Sequence, residues 1–282
     1  MTFSQLRVTQ LALIVSALLV IMPFSARANE LSRAFQLEEL FEIMAEDGRR
    51  SALLYDATPL QGRALAQFAN DVDRIYAPTV MHREFLAQLE AELESQPELR
   101  ADALEFAGSE LGKRVLRLEV SARSALLDDA IDETARLALE EARAADASMP
   151  EALRLALVRD RIDSNDLIDL NVSLGLNTSF AYYRGMLDED AVEGLSADDL
   201  LQLVWAQQDD IRSEIENWIE AYFLMAYGPL SENELRAYVD YTRSPLAVGF
   251  NQAMFRAFDT VFSDISRNLG QALGRRLRFE EL

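Results

Sequence analysis

The sequence predicts an all-α protein, a multi-helix bundle, and three observations point to it. Apolar residues recur at alternating steps of three and four through most of the chain. Seven prolines and eleven glycines are few for 282 residues, and they fall between the amphipathic segments. No segment shows the period-2 alternation of a half-buried strand. Half the residues are hydrophobic, enough to bury a core in one or two domains.

The N-terminus reads as an export signal. One positive charge, Arg7, precedes an apolar run from Leu11 to Met22 that only Ser16 interrupts, and Pro23 ends it. Ala26-Arg27-Ala28 then supplies the small residues that a signal peptidase requires, so cleavage is expected after Ala28 and export to the periplasm follows. The run is too short for a bilayer core that needs roughly 20 apolar residues. No transmembrane segment is expected after cleavage, and no lipid anchor, because the chain has no cysteine to acylate. Stability must come from packing, since disulfides are impossible.

The first mature helix is expected to carry Leu31, Phe35, Leu40, Phe41 and Met44 and to stop at Gly48. A second reaches Tyr76, before Pro78. Ile75, Thr79, His82, Leu86, Leu89 and Leu93 then form one stripe that ends at Gln96-Pro97. The clearest helix holds Ile211, Ile215, Trp218, Tyr222 and Met225, with Gly228 expected to supply a left-handed cap before Pro229. Ser231 and Glu234 spell a capping box for the next helix. Ser244-Pro245 opens the last, with an apolar ridge from Phe250 through Met254, Phe258, Val261 and Ile265 to Leu269.

A boundary is expected in the alanine-rich stretch 142–150, with Ser148 and Glu151 marking a fresh helix start around Pro150. It divides a signal peptide (1–28) and an N-terminal half (29–147) from a C-terminal half (148–282). The halves look related. Glu98-Leu99-Arg100-Ala101 recurs as Glu234-Leu235-Arg236-Ala237. After a one-residue slip, Phe106, Ser109 and Leu111 align with Tyr241, Ser244 and Leu246, and Val115, Val120, Leu126 and Leu127 with Phe250, Phe255, Val261 and Phe262. The expected architecture is two similar helical hairpins packed pseudo-symmetrically.

Leu230-Ser231-Glu232-Asn233-Glu234-Leu235, followed by Tyr241-Thr242-Arg243-Ser244-Pro245, resembles the signature of an exported bacterial family, domain of unknown function 2059 (DUF2059). The resemblance covers about residues 225–270, and a degenerate copy covers 95–130. The sequence departs from the pattern at Ala247, where the family often has glycine; the first copy keeps Gly112 but has Glu110 in place of the proline. The resemblance implies a periplasmic helical protein of Gram-negative bacteria and implies no activity.

Removing residues 1–28 takes two arginines and no acid, so 27 basic side chains become 25 against 48 acidic ones. That balance argues against nucleic acid, whose binding rests on cations displacing phosphate counterions. Thiol chemistry is excluded, and zinc hydrolase motifs need more than the single histidine, His82. No G-x-S-x-G elbow, Walker loop or G-x-G-x-x-G occurs. Asp188-Glu189-Asp190 fails as a calcium loop and reads as a solvated inter-helix loop. His82 reads as a half-buried imidazole satisfied by a carbonyl or carboxylate, with a pH switch as the alternative. Arg275, Arg276 and Arg278 read as complements to a helix dipole. No catalytic residue, cofactor or metal ligand is expected. The aromatics after Phe180 exceed what one packing stripe per helix needs, and Tyr182, Tyr183 and Trp205 are the candidate binding residues, flanking the glycine-containing stretch from Gly175 to Gly194. Two classes of function remain: a non-enzymatic periplasmic module that binds a protein partner or an apolar ligand, and a carboxylate-dependent hydrolase acting on envelope material. Mass spectrometry of exported protein is expected to find an N-terminus at Asn29; Met1 retained in the membrane fraction would overturn the export reading.

Overall fold

Every regular element of the computed structural model is helical; the model describes residues 24–280 apart from 193 and 195, and side chains over 28–278 with the same exceptions. The signal run and the lone charge before it therefore lie outside the described residues. Helix α1 (Phe24–Ala34) is separated from α2 (Leu37–Ser51) by a sharp break, where Gln36 takes left-handed backbone geometry at φ 53°. The break lets Leu31 and Leu37 both enter the core, which one straight helix would not permit. The expected stop at Gly48 does not occur. Helix α2 runs through it, because a Cβ there would lie 2.1 Å from the Tyr76 ring; the glycine makes room for an aromatic instead of ending a helix. A π-helical turn (Ala52–Asp56) follows.

Prolines sit where their missing N–H costs nothing. Pro78, Pro97 and Pro150 each open a helix: α4 (Pro78–Leu93), α5 (Pro97–Gly108) and α8 (Pro150–Ser164). Ser148 does not cap α8, whose cap position is Met149, without a side-chain bond. Helix α3 (Gly62–Ile75) precedes α4. Helices α6 (Glu110–Ala125) and α7 (Asp129–Ala144) are capped by Ser109 and Asp128, whose side chains accept from backbone N–H groups in the first turn. Helix α9 (Leu167–Asp188) is followed by α10 (Ala197–Trp205) and α11 (Gln208–Ala226). Gly228 does not adopt the left-handed geometry expected of it; α11 closes with Tyr227 and Gly228 donating to the Phe223 and Met225 carbonyls. Helix α12 (Glu232–Thr242) has its full Ser231–Glu234 capping box. The last helix, α13 (Pro245–Glu280), spans 36 residues and outruns its aromatic ridge.

Three main clusters of buried side chains result. Helices α1, α2, α4 and α5 close on the first half of α13 through Phe41, Phe85, Leu89, Ala253 and Ala257. Helices α6, α8, α11 and α12 enclose Val115, Val158, Tyr227 and Leu235. The π-turn and α3 pack on the far end of α13, around Phe68, Leu269 and Ala272. The sequence halves therefore interleave: α13 completes a core built from N-terminal helices, and α6 completes one built from C-terminal helices.

The two proposed hairpins, α5–α6 and α12–α13, share their turn chemistry. Ser109 N–H donates to the Phe106 carbonyl and Ser244 N–H to the Tyr241 carbonyl, each at 2.9 Å. The Ser109 and Ser244 hydroxyls then accept from Gly112 and Ala247. The equivalent rings of Phe106 and Tyr241 stack on one another, 3.9 Å apart and 7° from parallel. Aligned positions meeting face to face are what an approximate two-fold axis between the hairpins requires.

Helix α13 lies along α9, and glycines set the spacing. A Cβ on Gly185 would sit 2.1 Å from the Arg267 carbonyl oxygen, and one on Gly270 would sit 2.0 Å from that of Tyr182. Only backbone fits there. Gly185→Ala and Gly270→Ala are each expected to cost about 3 kcal/mol through overpacking. Gly108→Ala, at a helical end with open space around it, should stabilise by about 0.5 kcal/mol. Denaturant titrations showing the same sign for all three would refute backbone contact as the cause.

Candidate functional site

Polar side chains stand on core-facing positions of three helices, and they meet around one cavity. In α8, Val158, Arg161, Ile162 and Asn165 share a face; in α6, Glu119 follows Val115 and Leu116; in α13, Asn251 sits between Phe250 and Met254. The cavity has a volume of about 170 Å³ and lies between the first and second cores. Phe106, Tyr238, Tyr241, Phe250, Phe255 and Phe258 wall it, with Phe35 from the break after α1. Under the 135-residue offset of the repeat, Phe106 pairs with Tyr241, Leu116 with Asn251, and Glu119 with Met254. All six of these residues line the cavity, so the aligned positions face one space and differ in polarity.

The polar wall is a network built on Glu119. Its Oε1 accepts from Tyr227 Oη at 2.6 Å and from Tyr238 Oη at 2.9 Å. Tyr222 Oη donates to the Glu119 carbonyl at 3.0 Å. Arg161 donates through Nε and Nη2 to Tyr238 Oη, at 3.2 and 3.1 Å, and its Nη2 stands 3.6 Å from Glu119 Oε1. The guanidinium lies over the Phe223 ring, 4.2 Å from its centroid. Burial opposes the guanidinium charge, but the surrounding tyrosine hydroxyls and Glu119 hold its pKa above the ordinary arginine value. Burial likewise pushes the Tyr222, Tyr227 and Tyr238 hydroxyls upward, keeping them protonated as donors.

Two donors in this wall are left over. Arg161 Nη1 and Asn251 Nδ2 are both buried and have no hydrogen-bond partner among the described residues. Buried polar groups are nearly always paired, and each unmade bond costs about 1–3 kcal/mol. Asn165, by contrast, is satisfied, its Nδ2 donating to the Thr242 carbonyl at 3.1 Å.

The residues nominated from sequence lie elsewhere. Tyr182 and Tyr183 touch edge to face, 5.5 Å apart, within the regular helix α9, so the stretch from Gly175 is not an irregular segment. Tyr182 Oη donates to Asp56 Oδ1 at 2.8 Å and its ring packs on the third core. Burial raises the Asp56 carboxyl while that hydrogen bond lowers it, and the net shift is upward; its partner is a hydroxyl rather than a second carboxyl. Trp205 is 56 % exposed and lines a separate surface groove of about 320 Å³ with Phe180, Leu176 and Leu201. Two polar side chains of that groove are engaged, Arg212 by Asp169 and Asn177 by Asp259. The remaining surplus aromatics, Phe223 and Tyr227 with Trp218 and Tyr222 at its margin, belong to the second core.

Other sequence candidates also find partners. His82 Nε2 is hydrogen-bonded to Ser32 Oγ at 2.8 Å, a hydroxyl rather than a carbonyl or carboxylate. Burial lowers its pKa, and Glu38 opposes that shift. The acidic stretch is exposed at Asp188 and Asp190, as expected, and is also ion-paired: Asp188 accepts from Arg267, and Glu189 from Arg275. Arg276 reaches Asp71 and Arg278 the Glu189 carbonyl, so these arginines fasten neighbouring elements to α13. Among the described residues no cluster could hold a metal ion, and no helix is long and apolar enough to cross a membrane.

Sequence reading missed Glu119, Arg161 and Asn251 because it scored apolar stripes alone. The available signal was a polar residue on a stripe: Arg161 and Asn165 continue the spacing of Val158 and Ile162. Comparison of the chain with protein-family models, curated proteins and solved structures finds no match. Tyr227→Phe should lower stability by about 2 kcal/mol, the worth of a buried hydrogen bond to a charged group. A loss below about 0.5 kcal/mol in urea melts would mean that Glu119 does not depend on that hydroxyl.

Proposed function

We propose that this is an exported, periplasmic helical protein of the DUF2059 type that binds a small apolar molecule in the cavity between its hairpins, without catalysing a reaction on it. The observation that supports this reading is the cavity itself. Close-packed cores leave few voids larger than a water molecule. Here a space of about 170 Å³ is kept open at the junction of two cores, walled by aromatic rings from three helices and from the break after α1. A void of about 150 Å³ is enough to hold benzene, so one ring-sized group fits. The wall favours it further, because aromatic pairs gain about 0.5–1.5 kcal/mol beyond area burial.

Residues 225–270, which resemble the exported family, supply α12 and the start of α13 and hence one side of this cavity. On this reading the family signature marks the helical turn that shapes a pocket rather than a catalytic motif. The acidic surface, with 48 carboxylates against 27 basic groups, keeps the protein soluble through self-repulsion and has no part in the pocket.

Toluene serves as the test ligand. It should raise the melting temperature in a saturable way, by the linkage that stabilises any folded state that alone binds the ligand. Met254→Trp, which fills the cavity from α13, should abolish the shift and leave the helical circular dichroism unchanged. An absent shift, or one that survives Met254→Trp, would overturn the binding reading for this cavity.

A further inference from the structure

Two residues that line the cavity, Arg161 and Asn251, each keep a buried donor without a partner among the described residues, and this bears on the chemistry of a ligand's polar end. This step rests on the binding reading above and refines it. Arg161 is a permanent cation whose side chain is only 11 % exposed. Its hydrogen bonds go to a neutral hydroxyl, that of Tyr238, and the nearby carboxylate of Glu119 stands at 3.6 Å, beyond hydrogen-bond reach of Nη2. Glu119 meanwhile receives two tyrosine hydroxyls, which disperse its charge away from the arginine. No anionic oxygen hydrogen-bonds this guanidinium, although charge-assisted bonds are the strong ones and arginine suits planar carboxylates.

Nη1 of Arg161 and Nδ2 of Asn251 are the two atoms with bonds to give, and their residues line the same space. Two donors match the two oxygens of a carboxylate. A tetrahedral dianion would bring a second negative charge close to Glu119. A neutral carbonyl oxygen could accept from both donors but brings no charge to the guanidinium, which a carboxylate supplies. The rest of the wall is aromatic and takes an apolar body of about one ring, by the volume already given.

We propose that the cavity binds a small monocarboxylate carrying one ring-sized apolar group, with its carboxylate received by Arg161 and Asn251 and its apolar body held between Phe106, Tyr241, Phe250 and Phe258. The repeat accounts for the polarity. At the position equivalent to Asn251 the first hairpin has Leu116, so one side of the two-fold presents a donor and the other a methyl surface. A ligand with a charged end and an apolar end matches that difference.

Benzoate, benzamide and toluene separate the possibilities by calorimetric titration of the purified protein at pH 7. Benzoate should bind at least about tenfold tighter than either neutral analogue, since a charge-assisted pair exceeds a neutral one by more than about 1.4 kcal/mol. Asn251→Leu copies the residue at the equivalent site of the first hairpin and should preserve folding where an Arg161 change would not. It should weaken benzoate about tenfold and leave toluene unchanged. Equal binding of all three ligands, or benzoate binding indifferent to Asn251→Leu, overturns the carboxylate assignment while the cavity remains a binding site. Failure of all three to bind means that water alone occupies the space, and the binding reading falls with it.

Discussion

Contact between the backbones of α9 and α13 is the constraint on which the remaining structure depends. Gly185 and Gly270 bring carbonyl oxygens to distances that no Cβ would tolerate, and Gly274 extends the seam toward Glu189 and Ala191. Asn177 meets Asp259, Tyr182 approaches Gly270 and Glu189 meets Arg275, so the two helices run in the same sense. Once α13 is fixed in this way, its other faces are determined. One closes the first core with Phe250, Ala253 and Ala257, and its last turns close the third with Leu269 and Ala272. The ion pairs of Arg267 with Asp188 and Arg276 with Asp71 then secure the register. Exposed pairs of the first kind contribute little by themselves; the more buried Asp71 is shared between Arg276 and Arg74, so the Arg276 contact ties α3 to α13 without being the sole partner of that carboxylate.

A seam fixed at one place has a consequence at another. With α13 held by α9, its N-terminal end cannot also collapse fully onto α6 and α8, and the space between Phe250, Phe255 and Tyr238 stays open. The Glu119 network props the opposite wall. Tyr227, wholly buried, and Tyr238 both give their hydroxyls to one carboxylate, which fixes three helices, α6, α11 and α12, relative to each other. Buried networks of this kind contribute specificity of arrangement more than net stability, because desolvation of the charges offsets much of the gain. The cavity is thus bounded by a rigid polar wall on one side and a rigidly placed helix on the other, and neither can move in to fill it.

The two hairpins share a turn and differ in what their helices do. Ser109 and Ser244 cap their helices with the same bonds, and Phe106 and Tyr241 stack across the axis. Away from the turn the copies part. Val115 is buried in the second core where its counterpart Phe250 lies in the first, and Glu119 anchors a network where Met254 offers only a flexible apolar chain. The turn persists because caps and stacked rings have narrow geometric requirements. The helix faces vary because each packs against different neighbours.

Much of the fold was legible in the sequence. Steps of three and four established helices; Pro78 and Pro97 marked where one run stops and Pro150 where a fresh helix starts; Ser231-x-x-Glu234 and Ser244-Pro245 named their caps. These are local signals, decided by backbone sterics and by hydrogen bonds spanning three or four residues. Where the reading failed, a distant partner had decided the matter. Gly48 admits the Tyr76 ring rather than ending a helix, and Gly185 lies inside a helix because a backbone 82 residues away in sequence, at Arg267, presses on it. The aromatic count was read correctly as large, but whether a ring fills a core or walls a cavity depends on the partner opposite: Tyr227 is enclosed, Trp205 lies open, and Tyr241 faces the cavity. The sequence by itself determined the helices, because their signals are short-range. Only the tertiary structure decided which polar side chains, Arg161 and Asn251, would be buried with a bond left to make, because that depends on segments far apart in the chain meeting around one space.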